Sequence, residues 1–347
     1  MGIPVSLLRI RAFTFAVAAF GTVAFWAVGL PLPFLFGPMA ACLVAALSGA
    51  KLAGFGQVTA AARTILGVAV GTSVTPEVMA EIPNMAASIA LVPLYIAVIG
   101  LVGVPFFRKI CGFDAVTAYY AAMPGGLQDM ILFGKEAGGN ARILSLIHAT
   151  RVLVIVTVAP ILLISIYGVG LSNPIGQPAA DLPLGEMALM VGAAVVGWKG
   201  GERIGLFGAS ILGPLIVSAA LTLGGFIHSR PPAEAILVAQ FFIGVVIGVH
   251  YVGVTLRELR SVVLSGLAFM CMLAVLAACF AELVTLLGLA PSMEAFLAFA
   301  PGGQAEMTIL AIVTGADLGF VIAHHLTRIV VVILGAPLVA RLLRARR

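Results

Sequence analysis

Charge is what this sequence has least of. Among 347 residues, 14 are acidic and 19 basic, 10% in all, where a soluble domain usually carries about 25%. No polar stretch is long enough to house a large soluble catalytic or DNA-binding domain. The basic residues stand one or two at a time between apolar runs. A net charge of +5 and a pI near 9.3 therefore mark membrane topology, not a polyanion-binding patch. Cysteine is scarce as well. Cys42, Cys111, Cys271 and Cys279 lie in or beside apolar stretches without CxxC spacing, so neither a disulfide framework nor a zinc site is indicated and packing roles are expected. The histidines (His148, His228, His250, His324 and His325) form no HExxH and no ExxH pair, and no GxSxG elbow, Walker loop or GxGxxG fingerprint stands in a credible context. Catalysis is left without a chemical basis. Neither a cofactor nor a metal is expected.

What the sequence has is apolar length. Hydrophobic residues make up 62% and mean hydropathy is +1.18. At about 20 residues per crossing, this predicts an all-α polytopic membrane protein of ten or so spans. Forty glycines fit close helix approach in lipid. The run from Ala12 to Leu30 follows Arg9 and Arg11 as a signal peptide would, yet it is longer than a usual apolar core and lacks a clear cleavage site, so it reads as a retained first span. Further spans are expected near 34–50, 58–74, 85–107 and 141–167, then 185–198, 208–224, 233–250, 262–284 and 317–340.

The chain also contains itself twice. Residues 117–130 read TAYYAAMPGGLQDM and residues 294–307 read EAFLAFAPGGQAEM. A shift of 177 superposes Pro124 on Pro301, Gly125-Gly126 on Gly302-Gly303, and Asp129 on Glu306; it also carries His148, Thr150, Arg151 and Pro160 onto His325, Thr327, Arg328 and Pro337. A shift of 176 lays GPMAACLVAALSG at 37–49 over GPLIVSAALTLGG at 213–225. Apolar helices match Leu and Ala by chance, but rarely His, Arg and Pro-Gly-Gly in one frame. The chain divides into a first repeat, 1–170, and a second, 171–347.

Pro-Gly-Gly interrupts one segment of each repeat, 114–137 and 294–314, because proline removes a donor and glycine favours non-helical backbone. Half-helices of 114–123 and 127–135 would each rise about 15 Å, half of a ~30 Å hydrocarbon core, which puts the break near mid-membrane. If each broken segment returns to its starting side as a re-entrant hairpin, all the loop Lys and Arg residues except Arg230 share one face; if the segments are discontinuous crossings, the bias shrinks. The positive-inside rule favours the hairpin. Five true crossings per repeat then invert the second copy. Glu77 and Glu81 follow the third span of copy one where Arg257, Glu258 and Arg260 follow it in copy two. Inverted repeats with interrupted helices are a transporter architecture.

Arg151 and Arg328 lie about ten residues into long apolar helices, where a cation costs about 2.5–3.5 kcal/mol on insertion scales. Asp129 and Glu306 are the obvious counter-charges, and His148 and His325 precede each Arg by three residues on the same face. A purely structural reading makes these ion pairs that dock each broken segment on its neighbour. A ligand reading makes Pro124, Gly125, Gly126, Pro301, Gly302 and Gly303 a crossing-point site, since half-helix ends expose unpaired N–H and C=O groups. His250, at the place of Ser73, and His324, unique to copy two, read as packed histidines.

The signatures MPGGLQDM and APGGQAEM, with GPM or GPL upstream and H-x-T-R downstream, resemble the AbrB membrane protein family, which is built from an AbrB duplication. The resemblance covers nearly the whole chain. It implies a multi-pass protein of the bacterial inner membrane, with both termini expected in the cytoplasm. The family is labelled variously as an ammonia monooxygenase and as a regulator of gene expression. The first label needs copper or iron ligands that this sequence does not assemble. The name is shared with an unrelated small DNA-binding regulator, but no soluble basic module is present here to enter a groove. The expected function is a secondary carrier for a small solute driven by an ion gradient. Asp129 and Glu306 would take a coupling proton or cation; Arg151 and Arg328 would neutralise them or hold an anionic substrate. The alternative is a membrane sensor that affects gene expression without transport. The expected partners are a small-molecule or ion ligand and the lipid bilayer, with no direct nucleic acid; a homo-oligomer is compatible.

Overall fold

In a computed structural model, residues 5–30, 32–171, 175–206 and 208–345 are described, and among them the chain is all-helical. In chain order the helices are α1 (Val5–Ala27), α2 (Pro33–Leu47), α3 (Gln57–Gly71), α4 (Pro76–Pro105), α5 (Ala115–Ala122), α6 (Leu127–Glu136), α7 (Ala141–Tyr167), α8 (Leu184–Arg203), α9 (Ala209–Leu223), α10 (Ala233–Val249), α11 (Leu256–Glu258), α12 (Leu264–Leu286), α13 (Ser292–Phe299), α14 (Gln304–Thr314) and α15 (Leu318–Ala345). π turns at Phe106–Ile110 and Leu259–Val263 prolong α4 and join α11 to α12.

Five of the ten expected spans form helices long and apolar enough to cross a membrane: Ser6–Ala27, Pro76–Ile110, Ala141–Tyr167, Leu256–Leu286 and Leu318–Gly335. The others are shorter or more charged. Helices α2, α3, α9 and α10 have 15 to 17 residues, which rise only about 22–26 Å against a core of ~30 Å. The sequence cuts them: α2 begins at Pro33 and is followed by Gly49 at φ 89°, and Pro231-Pro232 precedes α10. Helix α8 has 20 residues but carries Glu186, Lys199, Glu202 and Arg203. Polarity is distributed as a lipid-solvated protein requires. Phe20, Trp26, Leu101 and Leu334 are exposed, while His148, Arg151, His325 and Arg328 are buried.

The chain forms two compact units, Met1–Met79 with Leu171–Val254 and Ala80–Gly170 with Thr255–Arg347. Each draws on both sequence repeats. In the first unit glycines set how closely helices approach. A Cβ added to Gly21 of α1 would meet the backbone of Gly37 on α2, and one on Gly197 of α8 would meet Gly213 on α9, the same pair displaced by 176. Gly67 and Gly71 of α3 face backbone at Ile211 and Leu215 on α9; their counterparts Gly244 and Gly248 of α10 face Leu35 and Met39 on α2. The exchange is reciprocal: the third helix of each repeat packs on the second helix of the other. Only small residues permit such approach.

Cys42 is buried in this unit, but Cys271 and Cys279 are exposed on α12 and Cys111 is half-buried. The packing role expected for all four is therefore corrected to Cys42. Cys271 and Cys279 face outward because the surface of α12 is apolar on its outer side too, which residue type alone does not reveal.

Candidate functional site

The second unit holds both broken segments, and each break is built the same way. Helix α5 starts at Asp114, whose carboxylate accepts from the Val116 and Thr117 N–H groups at 3.0 and 2.9 Å. Burial alone would raise this carboxyl's pKa, but the hydrogen bonds from Thr117 and Val116 together hold it below the ordinary value. The helix stops at Ala122, where Met123 turns extended, and α6 starts after Gly126. In copy two, α13 stops at Phe299, Ala300 turns extended, and α14 starts after Gly303. The intervening Pro124 and Pro301 are buried.

A helix that ends inside a protein leaves carbonyls without partners. Here the long helix that follows each break supplies donors. Arg151 of α7 donates from Nη1 to Met123 O at 3.2 Å and from Nη2 to Gly125 O at 2.5 Å. Arg328 of α15 donates from Nη1 to Ala300 O at 2.8 Å and from Nη2 to Gly302 O at 2.5 Å. The Nε2 atoms of His148 and His325 reach Tyr120 O and Leu297 O at 3.0 and 2.9 Å. All three contacts repeat at a shift of 177. His325 also lies 2.8 Å from Arg328 Nη2 through Nδ1. An arginine can only donate, so Nδ1 accepts, Nε2 carries the hydrogen, and the ring is neutral. Copy two adds one donor, the Tyr95 hydroxyl of α4, to Phe299 O at 3.0 Å.

The magnitudes show why buried arginines are tolerated. Hydrogen bonds to charged groups contribute about 1.5–3 kcal/mol each, and two per guanidinium offset the insertion cost of about 2.5–3.5 kcal/mol. Both side chains are only 3% exposed. The Nε atom of each arginine and Nδ1 of His148 are buried without a hydrogen-bond partner among the described residues.

Asp129 and Glu306 sit at the third position of α6 and α14, where a carboxylate is favoured by the helix dipole. Their oxygens fold back over the glycine that starts each helix. A Cβ on Gly126 would collide with Asp129 Oδ2, and one on Gly303 with Glu306 Oε2. The other glycine of each pair makes room for methionine: a Cβ on Gly125 would lie 2.6 Å from Met130 Cε, and one on Gly302 2.6 Å from Met307 Cε. The two glycines of the Gly-Gly-x-x-acid-Met pattern therefore serve different neighbours, the methionine for the first and the acid for the second. Arg151 lies within electrostatic range of both Arg328 and Glu306, and Arg328 within range of Glu306 and Tyr95. The structure thus brings the arginines of both breaks and Glu306 into one region of the unit.

An apolar cavity of about 440 Å³ between α7, α12 and α13 is lined by Val154, Leu267, Met270, Ala277, Phe296 and Pro301, and so reaches the second break. Its size is that of small-molecule pockets, about 300–1,000 Å³. Among the described residues, no three of His, Cys, Asp and Glu cluster closely enough to hold a metal ion. His324 bonds Phe320 O through Nδ1 at 2.8 Å and stacks on the Phe320 ring, and His250 bonds Val246 O. Tyr95 is the site residue that sequence reasoning missed. It has no counterpart in the other repeat, so the duplication could not point to it.

Comparison with known proteins follows the same extent as the repeat. The sequence profile of a family described as "Transition state regulatory protein AbrB" matches residues 34–344. A protein of Escherichia coli (strain K12) named "Putative regulator AbrB" is 25% identical over 327 residues, covering 92% of each chain. "Uncharacterized protein YhjN" of Bacillus subtilis (strain 168) is 26% identical over 296 residues, 80% of this chain and 77% of its own.

Proposed function

We propose, from the premise that the chain belongs to the AbrB family, that it is a secondary carrier moving a small solute along an ion gradient. The observation that supports this reading most is the doubled break. Two interrupted helices, each with a buried guanidinium at its carbonyl end and a carboxylate at its N–H end, lie in one compact unit. Interrupted helices paired between repeats are where carriers bind solute and ion. In this reading the repeats are inverted and the broken segments re-entrant, with the breaks at mid-membrane. The reciprocal glycine contacts of the first unit favour a two-fold relation between the copies. Asp129 and Glu306 carry the coupling charge, and the remaining Nε–H of Arg151 and Arg328 faces an anionic group of the solute. No catalytic step and no cofactor is assigned.

The location is the bacterial inner membrane with both termini cytoplasmic. Of the C-terminal arginines that orient the chain in this reading, Arg346 and Arg347 and the side chains of Arg341 and Arg344 lie outside the described residues. Uptake into proteoliposomes tests the reading: gradient-driven flux lost in Asp129→Asn or Glu306→Gln supports a carrier. Saturable solute binding with no flux supports a sensor, the reading that the regulator name of the Escherichia coli relative favours.

A further inference from the structure

Broken helices in carriers often hold sodium on the carbonyls that the break sets free. A hard monovalent cation needs a cluster of oxygen ligands and a compensating negative charge. In this protein both needs are met from within. At the first break, the Met123 and Gly125 carbonyls each accept from Arg151; at the second, the Ala300 and Gly302 carbonyls each accept from Arg328. The guanidinium sits where a cation would sit, on the negative end of the half-helix dipole. The charges also balance in number, with one arginine and one first-turn carboxylate to each break, and Glu306 lies within electrostatic range of both arginines. A sodium ion would add an uncompensated charge in a buried region, which is costly. It would also have to displace two charge-assisted hydrogen bonds.

We infer that Arg151 and Arg328 are tethered replacements for a coupling cation, so that the wild-type protein binds no sodium at its helix breaks and deleting a guanidinium creates a sodium site there. The inference rests on the carrier reading only where it calls the excluded ion a coupling ion. The geometry that carries it is the same in both copies. Removal of Arg151 to alanine would leave two carbonyls facing the vacated space with Asp129 at the adjoining helix start, the oxygen-rich and net-negative surroundings a sodium ion prefers. Arg151→Lys keeps a charge in place and should leave the break closed to sodium.

The test is thermal unfolding of the purified full-length protein in NaCl and in choline chloride at equal ionic strength, with ²²Na⁺ binding measured on the same samples. Wild type and Arg151→Lys should unfold at the same temperature in both salts and bind no saturable ²²Na⁺. Arg151→Ala and Arg328→Ala should each gain saturable ²²Na⁺ binding and a sodium-specific rise of about 2–4 °C at saturation. Saturable sodium binding by the wild type overturns the inference, and so does a folded alanine variant that gains none. Should neither alanine variant fold, the wild-type binding measurement decides. Because binding is read at equilibrium, a protein that moves no solute leaves this result standing while the carrier reading fails. Sodium-driven uptake by the wild type would do the reverse.

Discussion

Replacing Gly126 by alanine separates two reasons a glycine can be needed. Its backbone sits at φ −61° and ψ 141°, and that of Gly303 at φ −76° and ψ 155°, conformations open to any residue. Backbone freedom therefore does not require glycine at either place. Room does, because the Asp129 carboxylate occupies the position of a Cβ at 126. In Gly126→Ala the carboxylate must swing away from the start of α6. The cost is that of forcing the side chain from its preferred rotamer, about 0.5–1.5 kcal/mol, with about 0.3–1 kcal/mol more for the carboxylate's place at the helix dipole. In an Asp129→Ala background no carboxylate remains to be displaced, and the same glycine replacement should cost close to nothing. A four-member cycle of wild type, the two single variants and the double variant, followed by denaturant unfolding in one detergent, should give a coupling of about 1–2 kcal/mol. Equal costs of Gly126→Ala in both backgrounds would refute the argument and return the glycine to a backbone role. The parallel cycle on Gly303 and Glu306 should give a coupling of the same sign.

Two further expectations concern stability away from the charges. In α8, Gly197→Ala places a methyl against the Gly213 backbone and should lower the melting temperature, since overpacking typically costs about 1–3 kcal/mol. Gly200→Ala on the same helix meets nothing within 4 Å and should match or exceed wild type by up to about 1 kcal/mol of helix propensity; equal effects would argue against the close crossing. Asp114→Ala removes the cap of α5 and should cost about 0.5–2 kcal/mol at neutral pH. Because the folded carboxyl is held below its ordinary value, its contribution is complete above the unfolded pKa of about 3.9 and fades as pH falls through the lower folded value. Wild-type and Asp114→Ala melting temperatures should therefore converge on acidification below about pH 4, and a constant gap down to pH 2 would count against the cap.

Much of the fold could be read from hydropathy and punctuation. The segment 141–167 is helix α7 residue for residue, and the Pro-Gly-Gly breaks separate helices at 115–122 and 127–136 and at 292–299 and 304–314. Span lengths were less legible. Apolar runs continue past the ends of α2, α3 and α9, and only the turn geometry at positions such as Gly49 shows where hydrogen bonding stops. The compact units were not legible at all, because a repeat describes which residues correspond and not which ones touch. At the site, the pairing of Arg151 with the acid was the natural inference from charge. The bonds Arg151 makes run instead to Met123 and Gly125 carbonyls, and side-chain sequence carries no mark of an orphaned carbonyl except the proline and glycines that create it.

That exchange of partners explains what the duplication has kept. Asp129 and Glu306 differ by a methylene, and the residues before them differ altogether, Leu-Gln in one copy and Gln-Ala in the other. Yet both acids bring a carboxylate oxygen over the glycine that opens the helix. What the two copies share is the position of a negative charge at the N–H end of a half-helix. The arginines show the same rule at the carbonyl end, where each guanidinium bridges two carbonyls two residues apart, on either side of the proline. A break completed in this way has little reason to collapse when no ligand is bound. Anything that binds there must first compete with groups already in place, so affinity at the breaks measures a difference between two sets of partners.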